Sequence, residues 1–252
     1  MSSLQNKRAI ITGGAHGIGR AIVDEFCRAG ANVTAIDYDI KGLKSLQSAH
    51  KDYALSIVHL DITDRVGIDR LSQTPETFDI DILVNNAGVD LIYDLAVPDR
   101  KKWESVMEVN LTGTRQITEV IIADMLRHGR GGSLIFITSV HTALAFPGGA
   151  AYDASKHALV GLMRVLALEY GPKGIRANAL APGLIYPTNI TTAELSCTEA
   201  ERLGQRVPLG RCGHPKEIAT VCAFLASDAA SYINGAEIRV DGGLSIKNAL
   251  TD

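Results

Sequence analysis

Seven short β-branched runs, each separated from the next by at least a helix-length segment, restrict this chain more than any other feature of its sequence. They are Arg8–Thr12, Asn32–Asp37, Leu55–Leu60, Ile80–Asn85, Ser133–Thr138, Ile175–Leu180 and Glu237–Asp241. Between them apolar residues recur at helical spacing, as from Val23 to Gly30 and from Leu159 to Tyr170, with Gly30 and Gly171–Pro172 as stop signals. Strands joined through such segments run parallel, by right-handed crossovers. The expected fold class is therefore α/β, a doubly wound seven-stranded parallel sheet with helices on both faces.

A length of 252 residues with 46% hydrophobic content is enough for a sizeable core without staples. No repeat, low-complexity tract or Pro/Gly/Ser linker divides the chain, so residues 1–252 read as one domain. The stretch 188–205 stands apart. It is polar, rich in Thr, Glu and Ser, and follows the stop signals Pro182–Gly183 and Pro187, which suits either a helical flap over a site or a solvated surface helix.

The first strand ends in Thr12-Gly13-Gly14-Ala15-His16-Gly17-Ile18-Gly19, and a helix follows at once. Glycines let a backbone approach a pyrophosphate, whose charge is stabilised by free N–H groups and the helix dipole. The spacing departs from a strict G-x-G-x-x-G because Ile22 stands where a third small residue belongs. Asp37 closes the next strand, 18 residues beyond Gly19. A carboxylate there suits the adenosine ribose hydroxyls and repels a 2′-phosphate, so the expected cofactor is NAD. His16 offers no fixed positive charge at neutral pH to offset that repulsion. Asp61 and Ile62 end the third strand at the same sheet edge, where they meet an adenine ring or, alternatively, Asp61 caps the following helix. Asn85-Asn86-Ala87-Gly88 ends the fourth strand and permits another close backbone approach.

Further along, Tyr152-Asp153-Ala154-Ser155-Lys156 opens a long apolar helix, and residues four apart share a helix face. A phenol with a pKa near 10 needs roughly 4 kcal/mol of preference for its anion to act at about pH 7. A cation at about 4 Å in an effective dielectric of about 20 supplies a term of that size. Taken with the glycine turn and with Ser139 at the end of the fifth strand, this pattern resembles the short-chain dehydrogenase/reductases. Thr12–Gly19, Asp37, Asp61, Asn85–Gly88, Asn110, Ser139, Tyr152, Lys156 and Pro182–Gly183 occur in that family's order, over essentially the whole chain.

The resemblance implies a single-domain Rossmann fold and a nicotinamide-dependent enzyme. On it, Tyr152 exchanges a proton with the substrate oxygen, Ser139 donates a hydrogen bond to that oxygen, Lys156 lowers the Tyr152 pKa and holds the nicotinamide ribose, and Asn110 anchors a water between Lys156 and solvent. It also implies cofactor contacts from Gly13, His16, Gly17, Ile18, Gly19, Asp37, Asp61, Ile62, Asn86, Ala87, Gly88, Tyr152, Lys156, Pro182, Gly183 and Ile185. The family's threonine after this segment is replaced by Pro187, which leaves Thr188, one residue on, as the nicotinamide contact. Substrate contacts fall to Asp90, Ser139, His141 and Tyr152, with Ala143, Tyr186 and the 188–205 flap completing the lining. Asp153 and His157 read as bystanders facing solvent or a neighbouring helix.

Polar groups at Asp90 and His141 suit a sugar or polyol better than an acyl chain or a steroid, and Val140-His141 resembles the sugar dehydrogenases of the family. Reduction of a 3-oxoacyl thioester and a non-enzymatic nucleotide-sensing scaffold are the competing expectations. The net charge of −3 excludes a nucleic-acid footprint. Cys27, Cys197, Cys212 and Cys222 lack metal-ligand spacing, so no metal is expected and the thiols read as reduced. No apolar run spans a bilayer, which makes the expected location cytoplasmic. The resemblance further implies a homotetramer, with helices at Leu111–His128 and Tyr152–Tyr170 pairing through Val120, Ile121, Leu162 and Leu166. A second contact is expected from Pro215–Ala226 and Glu237–Asp241.

Overall fold

The computed structural model describes residues 3–71, 79–188, 190 and 195–247. Strands β1 (Arg8–Thr12), β2 (Asn32–Asp37), β3 (Leu55–His59), β4 (Ile82–Asn85), β5 (Gly132–Ile137), β6 (Ile175–Pro182) and β7 (Glu237–Val240) form one sheet in the order β3-β2-β1-β4-β5-β6-β7. Every neighbouring pair is parallel. All seven expected strands are present, with ends shifted by two residues at most. β4 starts late because the Ile80 N–H is taken by the Asp124 carboxylate at 2.8 Å. β6 runs on to Pro182, which lies opposite Val240 on the edge strand β7.

Side chains alternate across the sheet, as a period of two demands. Ala9 and Ile11 of β1, Ile82 and Val84 of β4, and Ile135 and Ile137 of β5 enter one core. That core is covered by α1 (Gly17–Arg28), α2 (Ile40–Ala49) and α8 (Pro215–Ala226). Ile10, Leu83, Leu134 and Phe136 enter the other, against α3 (Arg65–Leu71), α5 (Thr114–His128) and α6 (Ala150–Tyr170). Both faces are covered, which is why the strands read as continuous apolar runs instead of alternating ones.

The chain leaves β1 to build β2 and β3 on one side, then returns to place β4 on the other. A crevice opens at the carboxyl ends of strands where the order reverses, here between β1 and β4. α4 (Arg100–Met107) runs into α5 through a π-helical turn at Glu108–Gly113, which the sequence pattern did not show. In the expected flap, α7 (Cys197–Gly204) is a capped helix whose Ser196 and Glu199 satisfy each other's backbone N–H groups. Gly204 sits so close to the Arg211–Cys212 backbone that a Cβ would lie 2.7 Å from the Cys212 nitrogen. This half of 188–205 is thus seated on the body of the protein. Residue 189 and residues 191–194 lie outside the described residues.

Two expected subunit contacts need correction. Ile121 and Leu166 are 2% and 8% exposed and belong to the core under the sheet, so neither is available to a partner. The outward surfaces of α5 and α6 carry Ala123, Leu126, Gly161, Val165 and Leu168 instead. α8 likewise spends Ile218, Ala219, Cys222 and Ala223 on its own core. Burial pushes the Cys27 thiol up to about 11 and the Cys222 thiol higher still. Among the described residues there is no disulfide, no cluster of metal-ligating groups, and no helix long and apolar enough to cross a membrane.

Phe136 is fully buried at the centre of the second core. Phe136→Ala is expected to cost about 3–5 kcal/mol from lost transfer energy and the cavity left behind. Urea unfolding should report it as a lower midpoint with an unchanged slope.

Candidate active site

At the end of β1 the chain turns through Gly13 (φ +64°) and Gly17 (φ +51°), both in the left-handed region that favours glycine. The turn is pressed against the end of β4. A Cβ on Gly13 would lie 2.9 Å from both the Ala87 Cα and the Asn86 Nδ2, and one on Gly19 would overlap the Gly13 carbonyl. Hydrogen bonds fix this approach. Asn86 Nδ2 donates to the carbonyls of Thr12 and Gly13 at 3.0 and 3.1 Å, and the N–H groups of Asn86 and Ala87 donate to Thr12 Oγ1 at 3.0 and 3.1 Å.

The helix that follows starts without a side-chain cap. α2, α4, α7 and α8 are capped by the side chains of Asp39, Asp99, Ser196 and His214, whereas His16 at the start of α1 makes no capping bond and the first turn holds no acid. The N–H groups around Ile18 and Gly19 therefore keep their capacity for an external anion. Glycines that admit close approach, an uncapped helix terminus and a carboxylate at the end of β2 fit a dinucleotide.

That carboxylate, Asp37, is 7% exposed. One oxygen accepts from the Ala15 N–H at 3.0 Å, the other from the Asp39 N–H at 2.9 Å, which fixes its orientation. Asp39 was not anticipated. It caps α2 and lies 2.7 Å from His16 Nε2, and the His16 bond leads the interactions that hold its carboxyl below the usual range. The imidazole of the glycine turn is thus committed to an acid. Asp61 is exposed and folds back on Thr63, accepting from its N–H and hydroxyl at 2.9 and 2.8 Å. It does not cap α3, where Asp64 instead accepts from Gly67. Ile62 is buried.

Ser139 follows β5 and starts a single 3₁₀ turn, Val140–Thr142, with its Oγ accepting from the His141 N–H at 3.3 Å. Tyr152 and Lys156 lie in the first two turns of α6. Lys156 is 4% exposed, donates to the Ile137 carbonyl at 2.9 Å, and places its Nζ 5.4 Å from the centre of the Tyr152 ring. Burial pulls its pKa down to about 8, and the nearby charge of Asp90 opposes that fall. Asp90 thereby belongs to the same electrostatic unit.

Asn110 is fully buried in the π turn. Its Oδ1 accepts from the Val89 N–H at 2.8 Å, and its Nδ2 donates to the Val89 carbonyl at 2.9 Å and to Ser155 Oγ at 3.1 Å. The side chain joins three segments of the chain. Gly88 lies in the same knot, where a Cβ would stand 3.3 Å from Asn110 Oδ1 and 3.5 Å from Lys156 Nζ.

Pro182 ends β6, and a Cβ on Gly183 would lie 2.6 Å from Asp241 Cα. Ile185 is buried and bridges to Gly213, and Thr188 is half-buried. Asp153 is not a bystander, since its carboxylate is in hydrogen-bond contact with His141 Nδ1. Nothing in spacing signalled this, because the partners are 12 residues apart and meet only through the loop before α6. His157 is exposed, as expected of a bystander.

Residues 13–245 match the family model described as enoyl-(acyl carrier protein) reductase. Among known proteins, the chain is 38% identical over 250 residues to 3beta-hydroxysteroid dehydrogenase 2 of Eggerthella lenta, covering 96% of each chain. It is 34% identical over 253 residues to D-threitol dehydrogenase of Mycolicibacterium smegmatis, covering 97% of this chain and 95% of that one. A solved gluconate 5-dehydrogenase from Burkholderia cenocepacia, in complex with NADP and tartrate, matches with a TM-score of 0.89 at 32% identity and covers 98% of both chains.

The buried ammonium gives a measurable prediction. Without cofactor, Lys156 is expected to lose its proton as pH rises through about 8. Asp90→Asn removes the charge that opposes desolvation, so the midpoint should move to lower pH. NMR of protein labelled at lysine Cε would follow both titrations. A midpoint that rises in the variant contradicts this account of the site.

Proposed function

The chain belongs to the short-chain dehydrogenase/reductase family and is an oxidoreductase acting on CH–OH groups, and we propose that it uses NAD to interconvert a secondary alcohol or sugar hemiacetal with its carbonyl, on a sugar or polyol. The observation that carries this reading is the buried Lys156 ammonium set 5.4 Å from the Tyr152 ring, beside Ser139 at the end of β5. A dinucleotide held by its pyrophosphate at the glycine turn would supply hydride acceptance and donation through its nicotinamide.

In oxidation, Tyr152 takes the proton from the substrate hydroxyl; in reduction it returns one. Ser139 donates a hydrogen bond to the same oxygen while its charge changes. The Lys156 ammonium, with its Nζ 5.4 Å from the centre of the Tyr152 ring, favours the phenolate electrostatically. Asn110 acts indirectly, by holding Val89 and Ser155 in place around Lys156. Gly13, His16, Gly17, Ile18, Gly19, Asn86, Ala87 and Gly88 form the pyrophosphate and ribose bed, and Pro182, Gly183, Ile185 and Thr188 border the nicotinamide.

Two carboxylates at the end of β2 support NAD over NADP. Asp37 closes β2 against the glycine turn, accepting from the Ala15 N–H, and Asp39 occupies His16 of that turn. The same pair weighs against a 3-oxoacyl thioester reductase, for which NADPH preference is the expectation. A nucleotide-sensing scaffold has no use for a lysine tuned beside a phenol. We further place the protein in the cytoplasm as a homotetramer, with the apolar outward residues Gly161, Val165 and Leu168 of α6 facing a partner.

Steady-state rates on sugars, polyols, hydroxysteroids and hydroxyacyl thioesters should show at least about tenfold higher kcat/KM with NAD than with NADP, since one carboxylate–phosphate clash exceeds about 1.4 kcal/mol. A preference for NADP would overturn the cofactor assignment. Tyr152→Phe should lower kcat by about 10²–10⁴-fold with little change in NAD affinity. Undiminished turnover in that variant rules out the proton pathway.

A further inference from the structure

His141 and Asp153 form a unit beside the catalytic hydroxyls. His141 lies two residues after Ser139 in the same 3₁₀ turn, and its N–H is bonded to the Ser139 hydroxyl at 3.3 Å. Its Nδ1 is in hydrogen-bond contact with the Asp153 carboxylate. One ring face stacks on Phe146, with centroids 4.1 Å apart and planes inclined by 24°. The ring stands edge-on to Tyr152, with centroids 5.0 Å apart and planes at 83°. The two side chains are only 17% and 18% exposed.

Three neighbours thus hold the imidazole in position, and one of them, Asp153, favours one tautomer. A carboxylate at Nδ1 keeps the proton on that nitrogen, which leaves the neutral ring with a lone pair at Nε2. Among the described residues Nε2 makes no hydrogen bond, and it is not sealed from solvent. An oriented acceptor next to the Tyr152 ring has a natural partner in a hydroxyl of the substrate itself.

Building on the alcohol chemistry proposed above, we propose that His141 reads a hydroxyl on the carbon adjacent to the reacting one, and that Asp153 is the positioning residue that aims it. The preferred substrate is then a vicinal diol in oxidation and an α-hydroxy ketone in reduction. The hydroxyl donates to Nε2 while the reacting oxygen lies between Ser139 and Tyr152. A site built to bond a hydroxyl discriminates strongly against an analogue that lacks it, because the acceptor is then left unpaired beneath the bound substrate.

A helix-terminal role alone does not account for Asp153. A carboxylate in the first turn of α6 is favoured by the helix dipole wherever it points, yet this one reaches back to a ring 12 residues earlier. The two roles separate experimentally.

Matched pairs that differ only in the adjacent hydroxyl, 2,3-butanediol with 2-butanol and 1,2-cyclohexanediol with cyclohexanol, are assayed with NAD and with NADP on the full-length protein. The wild type is expected to favour the diols by about a hundredfold or more in kcat/KM. Asp153→Ala should reduce that preference to a few-fold, through a rise in KM for the diol larger than any change in KM for the mono-ol. Asp153→Asn keeps an oxygen able to accept from Nδ1–H and should restore part of the preference. His141→Ala should lose the diol preference to the same extent and carries the comparison if Asp153→Ala does not fold. Long-range ¹H–¹⁵N NMR should show His141 protonated at Nδ1 in the wild type and shifted toward a tautomer mixture in Asp153→Ala. A wild type indifferent to the second hydroxyl, or variants that keep the preference, overturns this inference while leaving the dehydrogenase assignment standing. Absence of turnover on every alcohol with both cofactors overturns the two together.

Discussion

The hydrogen bonds that tie Thr12 to Asn86 and Ala87 hold together the two strands between which the sheet reverses its order. One threonine hydroxyl accepts from two successive backbone N–H groups, and one asparagine amide donates to two successive carbonyls of the opposite strand end. These atoms are polar and part-buried, and their mutual satisfaction lets β1 and β4 end side by side without a side chain between them. The glycine turn follows from that closeness, since Gly13 and Gly19 have no room for a Cβ. The bare start of α1 follows in turn.

A second constraint is the lysine buried behind the phenol. Desolvation disfavours its charge, and the molecule compensates with one carbonyl, from Ile137, and one acid, Asp90. The resulting pKa of about 8 is a compromise: a fully compensated ammonium would be permanent, and an uncompensated one would be neutral at the pH where the phenol works. The site therefore balances two coupled groups, and the carboxylate of Asp90 is as much a part of that balance as a candidate substrate contact.

How far the sequence disclosed this depends on the range of each interaction. The strands were legible because the sheet is covered on both sides, so apolar runs and their helical interludes are local patterns. The positions in the fold of the glycine turn, Asp37, Ser139, Tyr152 and Lys156 were legible because each stands at a strand end or helix start that the same pattern locates. What stayed hidden depends on tertiary contact. Asp39 meets His16 only once β2 lies beside β1, and Asp153 meets His141 only when α6 docks above β5. The π turn that buries Asn110 leaves helical periodicity almost intact, since it adds a fraction of a turn within a longer helix. The pairing assigned to Ile121 and Leu166 failed for a related reason, because an apolar helix face does not say whether a sheet or a second subunit covers it.

The first turns of α6 show how one short segment serves several needs. Successive helical residues point about 100° apart, so Tyr152, Asp153, Ser155 and Lys156 leave the axis in different directions. Tyr152 faces the cleft, Asp153 turns to His141, Ser155 takes the Asn110 amide, and Lys156 reaches under the helix to Ile137. Together these contacts reach three elements: the turn after β5, the π turn, and the end of β5 itself. A rotation of α6 by a single residue would break all of them at once. The alignment of phenol and ammonium is therefore set less by their own spacing than by the neighbours that fix the helix's angle about its axis.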